Sequence, residues 1–244
     1  MSQINNELLL LTKNDIPFVE AQITIHQPTL KEIGFIGEDM FFTGCQFLNF
    51  SKDFLAPEDK VNLVDTSDFE IFMSIVNSGL DERYSESIRL VLSLLFPQHE
   101  IRYDDSSIIL FNEQGLSRID STNYDIFKNI IVEMFELDDS TTSAQGYNPA
   151  DKRAARIAEK LQKRKKKEDK EEKPKINILS RFLSILTVGE NKNMNDFLDY
   201  TVFQLKDEFK RFQKKQSFDM YLQAKMAGAE DLDDVDNWMD DIHS

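Results

Sequence analysis

A short basic stretch divides this otherwise acidic chain. Residues 152–175 carry twelve lysine or arginine residues against five acidic ones, whereas residues 1–151 carry nine against 26 and residues 176–244 carry eight against 13. Asn148 and Pro149 fit the N-cap and the first position of a helix, and Pro174 ends the stretch. Because its apolar face is thin, residues 148–175 are predicted to form a solvated helical connector. We therefore expect two separately packed units, one on each side of it.

The overall charge and the cysteine content restrict the class of protein. The formal net charge is −15 and the pI is about 4.7, which argues against broad binding to DNA or anionic membranes, because phosphate contacts require surface cations. The single cysteine, Cys45, excludes an internal disulfide bond. No apolar run approaches the roughly 20 residues that span a bilayer, and the N-terminus lacks the pattern of a signal peptide. These features predict a protein of the cytoplasm.

Residues 1–147 are predicted to form an acidic domain of mixed α and β structure. Phe18 to Gln27 alternates like a strand, and Thr29 and Ser67 each precede a glutamate by three residues, as in a capping box. A short helix after Thr29 is expected to break at glycine before a second helix from about Glu38. Further helices are predicted over 67–78, 82–96 and 122–135, the last capped by Thr122 with Asp125, and strands over 99–103, 107–111 and 116–119.

The remainder of the chain is predicted to be helical, with residues 176–229 as an all-α domain and residues 230–244 as an acidic tail with a tryptophan anchor. Asn193 with Asp196 predicts the start of a long helix whose apolar residues recur at spacings of three and four. The tail carries seven acidic residues and no basic one between Glu230 and Asp241. The predicted fold class is α+β, predominantly helical.

An apolar stripe on the long helix and the tail are candidate partner-binding surfaces, because tryptophan and methionine are frequent interface anchors. The candidate residues are Leu198, Val202, Leu205, Phe209, Phe212, Tyr221, Trp238 and Met239. The tail has an alternative, which is to pack back onto the helical unit.

No pattern in the sequence indicates catalysis, a cofactor or a metal site. His26, His99 and His243 lie far apart, and a catalytic base requires an identifiable partner. Cys45 lies among aromatic residues and is expected to be a buried, inert thiol. We therefore expect a non-enzymatic protein.

The connector allows two interpretations. Lys163, Arg164, Lys165, Lys166 and Lys167 are candidate phosphate contacts, and binding through them would weaken steeply with salt. A solvated helix that keeps two units apart explains the same residues, and no aromatic residue interleaves with them to stack on bases. We favour the second interpretation.

Three segments carry a family resemblance. These are NPADKRAARIAEKLQKRKKK, FQKKQSFDMYLQAKMAGAEDLDDVDNWMDDI and ITIHQPTLKEIGFIGEDMFF. Together they resemble the tail assembly chaperones of tailed bacteriophages and prophages of Gram-positive hosts. The resemblance implies a non-enzymatic protein of the host cytoplasm that keeps the tape measure protein soluble during tail morphogenesis, with self-association as a further expectation. It also implies a shorter frameshift-related form, which would end near the connector.

Two other functions stay open at this stage. One is a structural component of the tail or baseplate that is retained in the virion. The other is a nucleic-acid-associated accessory protein that acts through the connector.

Overall fold

The computed structural model describes residues 4, 6–51, 66–78, 82–113, 115–137, 177–229 and 235–240. The predicted connector, residues 148–175, lies outside these residues, as do parts of the acidic tail. The fold is α+β and predominantly helical, as the sequence predicted.

Eight helices and five strands are described. The helices are α1 (Asn6–Leu11), α2 (Leu30–Ile36), α3 (Glu38–Leu48), α4 (Asp68–Ser78), α5 (Glu82–Leu95), α6 (Tyr124–Phe135), α7 (Ile178–Gly189) and α8 (Val202–Met226). The strands are β1 (Ile16–Phe18), β2 (Ile23–Ile25), β3 (Glu100–Tyr103), β4 (Ser107–Asn112) and β5 (Gly115–Asp120). Within the described residues, β1 pairs with β2, and β3, β4 and β5 form an antiparallel meander.

Capping residues fix several helix boundaries. The Thr29 hydroxyl accepts from the Glu32 amide while the Glu32 carboxylate accepts from the Thr29 amide, which confirms the first capping box. Ser67 and Glu70 make the same reciprocal hydrogen bonds ahead of α4. Gly37, with φ of 86°, separates α2 from α3, so the predicted break between two helices is confirmed.

The single strand predicted over 18–27 is wrong. In its place, β1 and β2 form a hairpin in which Ile16 lies opposite Ile25, joined by a 3₁₀ turn at Val19–Ala21. Gln22 closes that turn in the left-handed region with φ of 56°. The turn interrupts the alternation, so Val19 points to solvent instead of sharing a face with Ile25.

One face of the three-stranded sheet packs against the core. Ile108, Leu110 and Ile119 are buried, and Ile108 lies opposite Ile119 in the ladder. The following helix, α6, begins at Tyr124 without the predicted Thr122 cap. The Thr122 amide and hydroxyl instead donate to the Asp120 carboxylate, which makes a local turn before the helix.

The start of α8 also differs from the prediction. Asn193 and Asp196 do form a capping box, but it opens only a 3₁₀ turn at Met194–Phe197. A second box, in which the Thr201 hydroxyl accepts from the Gln204 amide, begins the long helix. The long helix is therefore capped at Thr201, about two turns later than the predicted cap at Asn193.

Buried residues from both predicted units form one hydrophobic core. Leu183, Leu186, Val202 and Leu205 belong to the same buried cluster as side chains from α1 to α6. The connector suggested two separately packed units; among the described residues, α8 contacts α1 and α6, and Glu38 of α3 accepts from the first amides of α7. The predicted domain boundaries at 147 and 175 lie outside the described residues.

Candidate functional site

Three helix ends are satisfied by residues from the other predicted unit. The first amides of α2 are an example: the Leu30 amide donates to the Tyr200 carbonyl at 2.8 Å, and the Lys31 amide donates to the Leu198 carbonyl at 2.9 Å. The first four amides of a helix have no partner within it, so these bonds stabilise α2 from outside. The segment that precedes α8 is thereby fixed to the first unit.

The C-terminal end of α6 is capped by a lysine of α8. The Lys206 side chain is 4% exposed, and its ammonium donates to the Phe135 carbonyl at 2.8 Å and to the Glu136 carbonyl at 2.6 Å. A cation at the negative end of a helix satisfies the last carbonyls and offsets its dipole. One turn further along α8, Lys210 pairs with the Glu136 carboxylate.

The N-terminal end of α7 is capped by a carboxylate from α3. Glu38 accepts from the Leu179 amide at 2.7 Å and from the Ser180 amide and hydroxyl at 3.3 and 3.2 Å. A carboxylate near the positive end of a helix is stabilising. The α7–α8 hairpin therefore rests on the first unit at its capped α7 end and along the first half of α8.

The structure places the predicted stripe largely inside the protein. Val202 and Leu205 have no exposed surface, and both contribute to the shared core. Leu198 is half-buried in the turn before α8. In this conformation the first part of the stripe stabilises the chain's own fold.

The next two residues of the stripe pack against α7. The ring of Phe209 stacks on Phe182 with centroids 3.9 Å apart and planes 11° apart. Phe212 lies over Gly189, where an added Cβ would meet the ring atom Cε2 at 2.5 Å. Both phenylalanines are half-buried, so α7 covers the middle of the stripe.

The distal half of α8, residues 213–226, extends beyond this packing. Met220, Leu222 and Met226 are exposed by 62, 43 and 88%. Tyr221 is half-buried, and the Lys225 ammonium lies 5.0 Å from the centre of its ring. Apolar side chains are thus exposed on the part of the helix that the core does not use.

A described part of the tail returns along the distal half of α8. The Asp236 carboxylate lies 3.5 Å from the Lys214 ammonium. Trp238 is half-buried, whereas Met239 is 65% exposed. Of the two placements expected for the tail, this contact represents the one in which it packs back onto the helical unit.

Lys192 forms ion pairs with two glutamates near the start of α8. It pairs with Glu190 at 2.6 Å and with Glu208 at 3.0 Å, and its ammonium lies 5.4 Å from the centre of the Phe197 ring. The Glu190 carboxylate, together with that of Glu208, accepts from the Lys192 ammonium and raises the pKa of Lys192. The lysine therefore links the loop after α7 to α8.

The described cysteine and histidine side chains, which are the usual candidates for catalysis or metal binding, are buried or contact other residues of the fold. Cys45 is buried, as predicted, and desolvation raises the pKa of its thiol. His26 lies between the Asp15 and Glu32 carboxylates at 3.0 and 3.3 Å. The Nε2 atom of His99 faces the Asn112 amide, and burial lowers the pKa of His99. Across the described residues, no group of three acidic, histidine or cysteine side chains is arranged to hold a metal ion.

Sequence reasoning missed Glu38 and Lys206, the two charged residues that cap helices across the units. Lys206 follows Val202 by four residues and therefore falls on the apolar face of α8, which is an unusual place for a lysine. That position was an available signal for a buried, paired charge. Glu38 had no such signal, because its partners lie about 140 residues away.

The candidate phosphate contacts, residues 163–167, lie outside the described residues.

None of the described helices is both long enough and apolar enough to span a membrane.

The comparison with curated proteins found no match, and neither did the comparison with solved structures. A family model described as "YomV second domain" matches residues 165–243, the range that holds α7, α8 and the described part of the tail. This match suggests a phage-related protein, in agreement with the broader part of the resemblance found in the sequence.

Proposed function

We propose that this protein is a non-enzymatic phage tail assembly chaperone that binds the tape measure protein and keeps it soluble. The observation that carries the proposal is the distal half of α8, where Met220, Leu222 and Met226 are exposed in a protein of net charge −15. Flexible methionine and leucine side chains can pack against varied partner helices. A high net charge keeps the resulting complex dispersed.

The position of the exposed residues suits this role. They lie on a helix whose first half is fixed to the core by Lys206, Val202 and Leu205. A partner helix that lies along the side of Leu222 and Met226 would therefore meet a preformed surface, and little ordering of this chain would oppose binding. Met220, two residues before Leu222, faces a different side of the helix. The proposal places binding on Tyr221, Leu222 and Met226, and it leaves Val202 and Leu205 to the core.

Co-expression with the tape measure protein tests the proposal. The triple variant Met220→Glu, Leu222→Glu, Met226→Glu should leave the tape measure protein in the insoluble fraction, whereas the wild-type chain should keep most of it soluble. The matched control is the triple variant Leu11→Glu, Val19→Glu, Phe35→Glu, which changes the charge equally at other exposed apolar positions. Equal solubility with wild type and with the α8 variant would refute the assignment of this surface.

A second candidate is a tail or baseplate component that remains in the particle, and the phage-related match favours it as much as the chaperone. Mass spectrometry of purified virions distinguishes the two. A chaperone should be absent from them, and stoichiometric recovery would support the structural component.

A further inference from the structure

The distal half of α8 carries positive charge in a strongly acidic protein. Residues 213–226 contain three basic residues and one acidic residue, Asp219. The basic residues are Lys214, Lys215 and Lys225. Within the described residues, this end of the helix therefore differs in sign from the chain as a whole.

Two lysines and two aromatic residues share one face of the helix. Lys214, Phe218, Tyr221 and Lys225 follow one another at spacings of four, three and four, so they form a single row. Leu222 and Met226 each follow a member of this row by one residue and lie on the same side of it, and both are exposed. A segment that lies along the row would meet cations and apolar side chains together.

The chain's own tail has the complementary composition. Residues 230–241 carry seven acidic residues and no basic one, and they include Trp238. In the described part of the tail, Asp236 contacts Lys214, and Val235 and Trp238 are half-buried. Met220, Leu222 and Met226 are still exposed with the tail in this position.

We infer that the distal half of α8 is a docking surface for an acidic amphipathic segment of a partner protein, and that the chain's own tail occupies part of it until the partner displaces the tail. The inference rests on the proposed function, since it specifies the chemistry of the partner segment. Opposite charge gives the partner segment its orientation and a faster encounter, and the apolar residues anchor it. An adjoining tail is a strong competitor, because a short linker holds it at millimolar effective concentration.

Fluorescence anisotropy with a labelled synthetic peptide of residues 229–244 tests the inference on the full-length protein. The peptide should bind weakly to the wild-type chain and about tenfold more tightly to the variant Asp236→Asn, Trp238→Ala, whose own tail is released. Adding Lys214→Gln and Lys215→Gln to that variant should abolish the gain. The matched control adds Lys13→Gln and Lys31→Gln, two exposed lysines of the first unit, and should retain it.

Several outcomes would overturn the inference. One is equal peptide affinity for the wild-type and tail-released chains, and another is equal binding of a peptide in which glutamine and asparagine replace the seven acids. Concentration-dependent dimers of the wild-type chain that disappear with Lys214→Gln and Lys215→Gln would assign the surface to a second copy instead. Circular dichroism of each variant checks that the fold is intact.

The outcome is separable from that of the proposed function. If the wild-type chain solubilises the tape measure protein but the peptide shows no dependence on Lys214 and Lys215, the inference fails and the proposed function stands. If the peptide behaves as expected but the tape measure protein stays insoluble, the surface is real and its partner is a different protein.

Discussion

Lys206 is one of two charged residues, with Asp207, that are buried among the described residues. Its ammonium is held by two carbonyls at the end of α6, so the free energy of dehydrating the cation is offset by hydrogen bonds and by the helix dipole. The same side chain joins α8 to the first unit. Lys210, one turn away and 43% exposed, meets Glu136 in a setting where solvent weakens the ion pair.

Replacing Lys206 by methionine should lower the free energy of unfolding by about 1 to 3 kcal/mol, because methionine fills a similar volume but leaves two buried carbonyls without a donor. Lys210→Met is the control and should cost less than about 1 kcal/mol. Urea unfolding followed by circular dichroism measures both. Equal losses in the two variants would show that burial at position 206 has no special role.

At the scale of elements, the sequence predicted helices well where their ends depend on nearby residues. The boxes at Thr29 and Ser67 gave correct starts for α2 and α4, since each needs only a glutamate three residues later. The predictions failed where residues distant in the sequence decide where a helix begins. The capping pair Asn193 and Asp196 placed the start of the long helix at Asn193, but the carbonyls of Leu198 and Tyr200 accept from amides of α2, and α8 begins only after Thr201.

The close approach of α3 to α5 at Gly44 was not predicted from the sequence. A helix was predicted from about Glu38, and nothing in the sequence marked Gly44, which lies within it, as a contact point. In the structure it lets α3 approach α5: an added Cβ would meet the Ser87 carbonyl oxygen at 2.5 Å and the Val91 Cγ2 atom at 2.6 Å. The absence of a side chain at this position is therefore a packing requirement.

Gly44→Ala should destabilise the protein by roughly 1 to 3 kcal/mol, because the backbone of α5 must move to admit the methyl group. Gly34→Ala provides a matched control in α2, where nothing lies within 4 Å of the added Cβ. That change should stabilise the protein by up to about 1 kcal/mol, since alanine favours the helix. Thermal unfolding gives the sign of each effect, and a Tm for Gly44→Ala at or above that of the wild-type chain would contradict the close contact.

At the scale of the whole molecule, the apolar stripe shows what sequence can and cannot predict about a site. The spacing from Val202 to Phe212 correctly indicated an amphipathic helix, but periodicity does not say whether the apolar face meets the protein's own core or another chain. In the structure, the two halves of this helix differ in burial. Its first half is buried with the first unit, and its distal half is exposed.

A shared core has a consequence that separate units would not have. Leu205 has no exposed surface, so Leu205→Ala should remove about 2 to 5 kcal/mol from the free energy of unfolding. Because Leu205 belongs to the same core as residues of α3 and α6, the loss should appear in both predicted units. Hydrogen exchange measured by mass spectrometry should therefore show faster global exchange in α3 and α6 as well as in α7 and α8.

Leu222→Ala is the matched control on the same helix, since Leu222 is 43% exposed and its loss should change stability by less than about 0.5 kcal/mol. The informative result is where the Leu205→Ala variant loses protection. Faster exchange confined to residues 178–226, with α3 and α6 unchanged, would mean that the two units unfold independently in spite of their contacts. Faster exchange in both would make the first half of α8 part of the folding unit, so that the distal half, which the core does not need, is the part of the helix open to a partner.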